Sequence, residues 1–156
     1  MIEFREANIG DITTYFKWLN DPEVRLLSFS NTKVTFKAHQ KWFQNKINDK
    51  NCIMLIFLSS NNEIGQIRIE KVAFSQAIIS ISIASEYRGK GYAVEMLNMA
   101  SKYFHSKNPE FIINAYIKNN NLNSIYSFEK ACYKFYKKLK HKGHNCLNYI
   151  LENANT

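Results

Sequence analysis

The chain has 156 residues, a formal net charge of +8 and 46% hydrophobic residues. This length is typical of one domain, and the composition excludes an intrinsically disordered chain. The longest apolar run, residues 53–58, is too short to cross a membrane. The N-terminal residues lack the pattern of a signal peptide. We therefore expect one cytoplasmic domain over residues 1–156, without membrane contact.

The spacing of apolar residues predicts the secondary structure. The first predicted elements in chain order are a strand at residues 2–5, a helix capped by Asp11 that ends near Leu19, and a helix at 36–47 capped by Thr35. Three strands follow, at residues 51–58, 63–71 and 77–84. The remaining elements are a helix at 93–106, a strand at 111–117, a helix at 122–132 and a closing hairpin of strands at 133–139 and 146–151. Residues 24–32 fit neither pattern. This order favours an α+β fold, with a mixed sheet and helices on both faces.

The cysteines Cys52, Cys132 and Cys146 lie far apart in the sequence. An odd number without close pairs disagrees with a disulfide framework, and the sequence lacks four evenly spaced ligands for zinc. We therefore expect reduced thiols and no bound metal.

A glycine-containing loop at residues 85–91 connects a predicted strand directly to a helix. The first turn of a helix has N–H groups without internal acceptors, and glycine lets an anion approach the backbone closely. The helix dipole adds partial positive charge there, and Arg88 and Lys90 add full charges. The loop therefore predicts an anion site, with a pyrophosphate as the expected ligand. The alternative is a plain turn, since the spacing is that of neither a P-loop nor a dinucleotide fingerprint.

The segment Arg-Gly-Lys-Gly-Tyr-Ala at residues 88–93 resembles the Arg/Gln-x-x-Gly-x-Gly/Ala signature of the GNAT superfamily of acetyl-CoA-dependent N-acetyltransferases. Residues 121–124 and 128–133 resemble that family's Asn-x-x-Ser and Tyr-Glu-Lys-x-Gly-Phe segments, and the order of elements is similar over nearly the whole chain. The resemblance implies a mostly antiparallel sheet of six to seven strands. It also implies acetyl-CoA as co-substrate and direct attack of a primary amine on the thioester.

The resemblance places coenzyme A against the loop and the end of the strand before it. The loop backbone would hold the pyrophosphate, and the strand would pair with the pantetheine arm. The residues implied in coenzyme binding are Ile83, Ala84, Arg88, Gly89, Lys90, Gly91, Tyr92, Ala93, Asn121 and Ser124. A backbone N–H near Ile83 or Ala84 could polarise the thioester carbonyl.

The chain departs from the family at two positions. Phe128 stands where a tyrosine often protonates the leaving thiolate, and Cys132 replaces the following glycine. A thiol with a reference pKa of about 8.5 is a tolerable leaving group, so another group or water could supply the proton. The departure also leaves open a non-catalytic module that binds acyl-CoA.

Two predicted strands alternate isoleucine with polar residues, so their pairing would make one aliphatic face and one polar face. Beneath the helices that the resemblance implies, the polar row would line a cavity. The residues expected to bind an acceptor there are His39, Arg68, Glu70, Ser80 and Ser82, with Gln66 in the same row. Glu70 or His39 would take the proton of the amine.

Residues 20–25 and the His-x-x-Trp-Phe segment at 39–43 resemble one GNAT branch, the N-acetyltransferases of bacterial nonulosonic (pseudaminic) acid pathways. These act on UDP-linked 4-amino-4,6-dideoxy sugars, and the residue matching His39 is expected in the nucleotide-sugar pocket. A basic chain also favours an anionic acceptor. A protein N-terminus, a polyamine or an aminoglycoside are the alternative acceptors, and the resemblance allows a homodimer.

The basic run at residues 134–142 interleaves aromatic residues with lysines. Platforms for single-stranded nucleic acid show such interleaving, but so does a strand with one solvated face. We favour the strand and expect no nucleic-acid partner.

Overall fold

The computed structural model describes residues 1–30 and 32–154. A seven-stranded sheet has the order β1-β2-β3-β4-β5-β7-β6. The strands are β1 (Ile2–Glu6), β2 (Cys52–Ser59), β3 (Asn62–Ala73), β4 (Gln76–Ile83), β5 (Ile112–Lys118), β6 (Lys134–His141) and β7 (His144–Leu151). The helices are α1 (Ile12–Leu19), α2 (Pro22–Leu27), α3 (Phe36–Ile47), α4 (Tyr92–Lys107) and α5 (Leu122–Lys130). The mostly antiparallel sheet and the helices confirm the predicted fold class.

Two details near the N-terminus differ from the prediction. Asp11 was expected to cap α1, but its carboxylate instead accepts hydrogen bonds from Arg5 at 2.8 Å and from the N–H of Asn8 at 2.8 Å. Helix α2 occupies part of the segment 24–32, to which the sequence pattern assigned no element. Asn31, in the same segment, lies outside the described residues. Asp21 caps α2 by accepting from the N–H groups of Glu23 and Val24. Pro22 therefore separates two helices, because it suits the first turn of one and cannot continue the other.

The two faces of the sheet are buried by different helices. On one face, Ile67 and Ile69 of β3 pair with Ile81 and Ile79 of β4, and this aliphatic face packs on α4. On the other face, beneath α1 and α3, Gln66 pairs with Ser82 and Arg68 with Ser80. A smaller cluster of Tyr15, Phe43, Met54 and Ile56 fills that side beside the polar row. The predicted split into an aliphatic and a polar face is confirmed.

Strands β4 and β5, the parallel pair of the sheet, separate partway along their length. Their pairing ends at Ile78 and Asn114, and β4 continues to Ile83 while β5 continues to Lys118. The side chain of Asn114 donates to the carbonyl of Ala77 at 3.2 Å and accepts from Asn148 at 3.3 Å. These buried amides occupy the point where the strands diverge. The result is a fork between β4 and β5 that opens a cleft through the middle of the sheet.

The basic run of the C-terminal hairpin forms β6, the edge strand, and most of its residues are exposed. Lysines on an exposed edge discourage pairing with another chain. Within the described residues, no helix is long and apolar enough to span a membrane.

Gly65 marks a close approach between β3, β4 and α4. A Cβ atom there would lie 2.5 Å from the carbonyl oxygen of Ser82 and 3.0 Å from Cε of Met96. We predict that Gly65→Ala lowers the free energy of unfolding by about 1–3 kcal/mol, the usual range for overpacking. Val72→Ala, at an exposed position of the same strand, serves as the control and should change it by less than about 0.5 kcal/mol. Urea unfolding measures both, and an unchanged midpoint for Gly65→Ala would contradict the overpacking.

Candidate active site

Two cavities meet at the fork. The first, which we call the loop cavity, has a volume of about 540 Å³ and lies between α2, the loop before α4, and α5. The second, the sheet cavity, has a volume of about 580 Å³ and extends from the polar row of β3 and β4 to the turn between β6 and β7. The two share the lining residues Val24, Leu27, Ser28, Ile81, Ser82, Asn121, Ser124 and Phe128. Two ligands bound in them would therefore meet at the fork.

The loop cavity presents a backbone suited to an anion. Gly89 and Gly91 have φ angles of 73° and 82°, in the left-handed region that favours glycine. A Cβ atom on either glycine would point into open space, so nothing of the protein fills the position in front of them. Helix α4 begins at Tyr92 without a side-chain cap, which leaves its first N–H groups for a ligand.

The charged side chains of the loop differ from the expectation. Arg88 donates to Glu23 at 2.6 Å and to Asp21 at 3.0 Å, so its charge is offset by two carboxylates. The ammonium of Lys90 lies 5.4 Å from the ring centre of Tyr87, and Lys90 does not line the cavity. Arg88 therefore ties the loop to the start of α2, and the backbone supplies the groups that could hold an anion.

The free edge of β4 faces the fork. The N–H of Ala84 donates to the carbonyl of Ile64 at 2.8 Å, so this amide is occupied by β3. Because backbone groups alternate in direction along a strand, those of Ile83 and Ile81 point away from β3. The carbonyl of Ile83 accepts from Nε of Arg88 at 3.0 Å, which fits that direction. Of the two amides suggested by the sequence, Ile83 is the one that faces the cleft.

Helix α5 forms the opposite wall of the fork. Asn121 caps this helix by accepting from the N–H of Ser124 at 3.3 Å, and both residues line both cavities. Phe128 is buried and packs edge-to-face on Tyr133, with ring centres 5.0 Å apart. Tyr133 is hydrogen-bonded to Ser101 at 2.8 Å, and burial raises the pKa of its hydroxyl. Tyr133 lines neither cavity and so does not take the place of the missing tyrosine.

The polar row lies mostly in the sheet cavity. His39, Arg68, Ser80 and Ser82 line it, together with Gln66, whose amide donates to Ser82 at 2.9 Å. Glu70 does not line it, because its carboxylate pairs with Lys46 of α3 and lies 3.8 Å from Nε of Arg68. The guanidinium of Arg68 lies 5.0 Å from the ring centre of Trp42, a cation–π contact.

His39 is 1% exposed, between Phe16, Trp42 and Phe43. Its Nε2 lies 3.0 Å from the carbonyl oxygen of Ile12, and because a carbonyl only accepts, Nε2 carries the hydrogen. Nδ1 is buried without a protein partner. Burial lowers the pKa of His39, so the ring is neutral at pH 7 with a free lone pair on Nδ1.

The sheet cavity is cationic. Its lining contains Arg25, Arg68, Lys118 and Lys142, and no Asp or Glu is among the described residues that line it. The sequence pattern assigned none of Arg25, Lys118 and Lys142 to the acceptor cavity, although Arg25 lies in the segment 20–25 and Lys142 ends the basic run 134–142. They come from three segments distant in the chain, so only the topology brings them together.

The chain belongs to the GNAT acetyltransferase family, since it matches the family described as "Acetyltransferase (GNAT) domain" over residues 2–133. The family and the fold define an acetyl-CoA-dependent N-acetyltransferase that acts on an amine. A comparison with curated proteins finds no significant match.

Solved structures with the same fold cover nearly the whole chain. The spermidine N-acetyltransferase of Vibrio cholerae, in complex with coenzyme A and spermine, has a TM-score of 0.87 at 17% identity, over 98% of this chain and 96% of that one. The aminoglycoside acetyltransferase AAC(6')-Ib, in complex with coenzyme A, has a TM-score of 0.83 at 14% identity, over 97% of this chain and 95% of that one. A domain from Methanocaldococcus jannaschii has a TM-score of 0.83 at 18% identity, over 97% of each chain. At these identities the likeness concerns the fold alone.

The environment of His39 predicts a pH dependence of stability. Its pKa is lower in the folded chain than the ordinary value of 6.5, so below about pH 6.5 the unfolded chain binds the proton more readily and stability falls as the pH falls. One such group contributes at most about 1.4 kcal/mol per pH unit. We expect His39→Gln, whose amide can still donate to Ile12, to lose less stability between about pH 7.5 and pH 5.5 than the natural chain.

His105, which burial also shifts to a lower pKa, provides the comparison, and His105→Gln should act in the same direction. Urea unfolding at both pH values measures the effect. Equal pH dependence in the natural chain and in His39→Gln would contradict a neutral, buried His39.

Proposed function

We propose that this enzyme transfers the acetyl group of acetyl-CoA directly to the amine of a nucleotide-linked amino sugar, specifically a UDP-linked 4-amino-dideoxy sugar. The cationic lining of the sheet cavity is the observation that supports this acceptor. Spermidine and aminoglycosides are polycations, which such a lining repels, whereas it attracts a diphosphate. The spermidine and aminoglycoside enzymes share the fold at 17% and 14% identity, which carries no acceptor over to this chain.

In this proposal coenzyme A occupies the loop cavity. Gly89, Gly91 and the first N–H groups of α4, at Tyr92 and Ala93, hold its pyrophosphate. Two observations support this role: the left-handed backbone of the two glycines and the open space in front of them. The free edge of β4 that ends at Ile83 pairs with the pantetheine arm, since the backbone of this edge points into the fork.

Other residues implied by the family resemblance take indirect roles in coenzyme binding. Asn121 and Ser124 approach the pantetheine from α5, because they line both cavities. Arg88 positions the loop through its carboxylate partners, Ala84 holds β4 on β3, and Lys90 contributes only long-range charge.

The reacting groups meet where the cavities share their lining, near Ile81, Ser82 and Phe128. Holding both substrates there supplies most of the rate, since it replaces a bimolecular encounter with an oriented one. The N–H of Ile83, which lines the loop cavity beside this space, polarises the thioester carbonyl, and the rest of the free edge of β4 pairs with the pantetheine arm. Phe128 has no proton to give, so water or another hydroxyl of the loop cavity, such as that of Tyr126, protonates the departing thiolate.

The sequence indicates His39 or Glu70 as the group that takes the proton of the amine. Glu70 is paired with Lys46 and lies outside the cavity lining, so we assign it to holding Lys46 and Arg68 in place. His39 keeps a free lone pair on Nδ1, but this atom is buried, so the proton reaches it through a water molecule. Arg68, Ser80 and Ser82 contact the sugar in the sheet cavity.

The coenzyme site is tested at Gly91. A valine there points its side chain into the space proposed for the pyrophosphate, so Gly91→Val should weaken coenzyme A binding by at least about a hundredfold, the loss of roughly 3 kcal/mol. Gly143→Val is the matched control, because Gly143 has a similar φ of 81° in a hairpin turn away from the loop. Calorimetry with coenzyme A measures both. Equal affinities in the two variants would remove the loop from the coenzyme site.

The acceptor class is tested by thiol release from acetyl-CoA with a panel of amines. We expect turnover with a UDP-linked 4-amino-4,6-dideoxy sugar, and at least about tenfold less with spermidine, kanamycin or a peptide N-terminus, the loss of roughly 1.4 kcal/mol from a cationic pocket. Good turnover of a polyamine or an aminoglycoside, with none of the nucleotide sugar, would overturn the acceptor and leave the acetyltransferase assignment standing. Coenzyme binding without turnover of any amine in the panel would favour the non-catalytic module.

A further inference from the structure

Three of the four cations that line the sheet cavity lie toward its outer end, away from the polar row. Arg25 belongs to α2, Lys118 ends β5, and Lys142 lies in the turn between β6 and β7. None of the ion pairs found among residues 1–30 and 32–154 involves these three side chains. Arg68, the fourth cation, lies 3.8 Å from Glu70 and stacks on Trp42. The uncompensated positive charge of the cavity is therefore concentrated at the outer end.

Arg25 is held in place entirely by neutral groups. Its Nε donates to the carbonyl of Leu19 at 2.6 Å, and its two terminal nitrogens donate to the carbonyl of Ser30 at 3.0 Å and to the hydroxyl of Ser28 at 3.2 Å. These contacts fix the guanidinium in a partly buried position without cancelling its charge. A partly desolvated cation without a carboxylate partner gains more from an added anion than one in water does.

The two lysines are also positioned by rigid parts of the fold. Lys142 and Gly143, with φ angles of 50° and 81°, form the two-residue turn that suits a hairpin, so the lysine has a fixed place. Beneath it, His141 stacks on Tyr116 of β5 with ring centres 4.5 Å apart and planes 5° apart. Lys118 follows Tyr116 on the same strand and makes one long contact, 3.4 Å, with the carbonyl of Leu26. The β5 strand and the hairpin thus bring both lysines to the lining of one cavity.

We propose that Arg25, Lys118 and Lys142 bind the phosphates of the acceptor, and that Arg68 and His39 do not. This inference rests on the proposed nucleotide-sugar acceptor and adds the orientation in which it binds. The diphosphate lies between α2 and the hairpin turn, and the sugar points inward along the polar row to the fork. His39 and Arg68 are among the acceptor-binding residues expected from the sequence, and the phosphates of the acceptor lie away from both.

The test uses UDP and inorganic pyrophosphate as probes, in calorimetry with the protein saturated by coenzyme A so that the loop cavity is filled. The variant is the double substitution Lys118→Gln and Lys142→Gln. We leave Arg25 unchanged because it also holds α2 in place. The control is Lys138→Gln with Lys140→Gln, two exposed lysines of β6 that do not line the cavity. Thermal melting checks that each protein is folded.

We expect the Lys118/Lys142 variant to bind both probes about tenfold to a hundredfold more weakly, the usual loss of one or two charge-assisted hydrogen bonds, and the control to bind them normally. Equal UDP affinity in the natural chain and in the Lys118/Lys142 variant would overturn the phosphate site and leave the nucleotide acceptor standing. Failure of the natural chain to bind UDP would overturn the nucleotide acceptor, and the phosphate site with it. An equal loss in the control would assign the effect to net charge and also overturn the site.

Discussion

The divergence of β4 and β5 after Ile78 and Asn114 is the constraint on which the rest of the structure depends. Where the two strands separate, backbone N–H and C=O groups lose the hydrogen-bond partners that a continuous sheet would give them. At the point of divergence the side chains of Asn114 and Asn148 occupy such groups, and beyond it the free edge of β4 faces the cleft. The loop to α4 starts at the end of that edge, so one local break in pairing places a strand edge, a helix N-terminus and two cavities together.

The two cavities differ in how they present positive charge. In the loop cavity the charge of Arg88 is cancelled by Asp21 and Glu23, so recognition there depends on backbone N–H groups and the dipole of α4. In the sheet cavity, Arg25, Lys118 and Lys142 supply positive charge, and none of the ion pairs within residues 1–30 and 32–154 offsets it. A backbone site keeps its N–H donors when the surrounding side chains change, provided that Gly89 and Gly91 remain, whereas a site made of side chains changes with each substitution. We infer that the first holds the constant substrate and the second sets the acceptor.

Local patterns predicted the strands, the Thr35 cap of α3, which accepts from Ala38 at 3.3 Å, and the two faces of the sheet. They failed where a long-range partner decides the outcome. Aspartate is a residue type that often caps helices, but the carboxylate of Asp11 forms an ion pair with Arg5 instead. Helix α2 is too short for a helical period to show. The pairing of Glu70 with Lys46 crosses from sheet to helix, and the place of Lys142 at the cavity rim requires the order of the strands, which no local pattern contains.

Direct transfer requires that both substrates occupy the fork at once and that the amine attacks the thioester itself. None of Cys52, Cys132 and Cys146 is among the described residues that line either cavity, which agrees with transfer without a thiol carrier. Initial rates measured while acetyl-CoA and a UDP-linked 4-amino sugar are varied together test this requirement most directly. Double-reciprocal lines that intersect are the result predicted for a ternary complex. Parallel lines would show that the coenzyme leaves before the acceptor binds, and would contradict direct transfer.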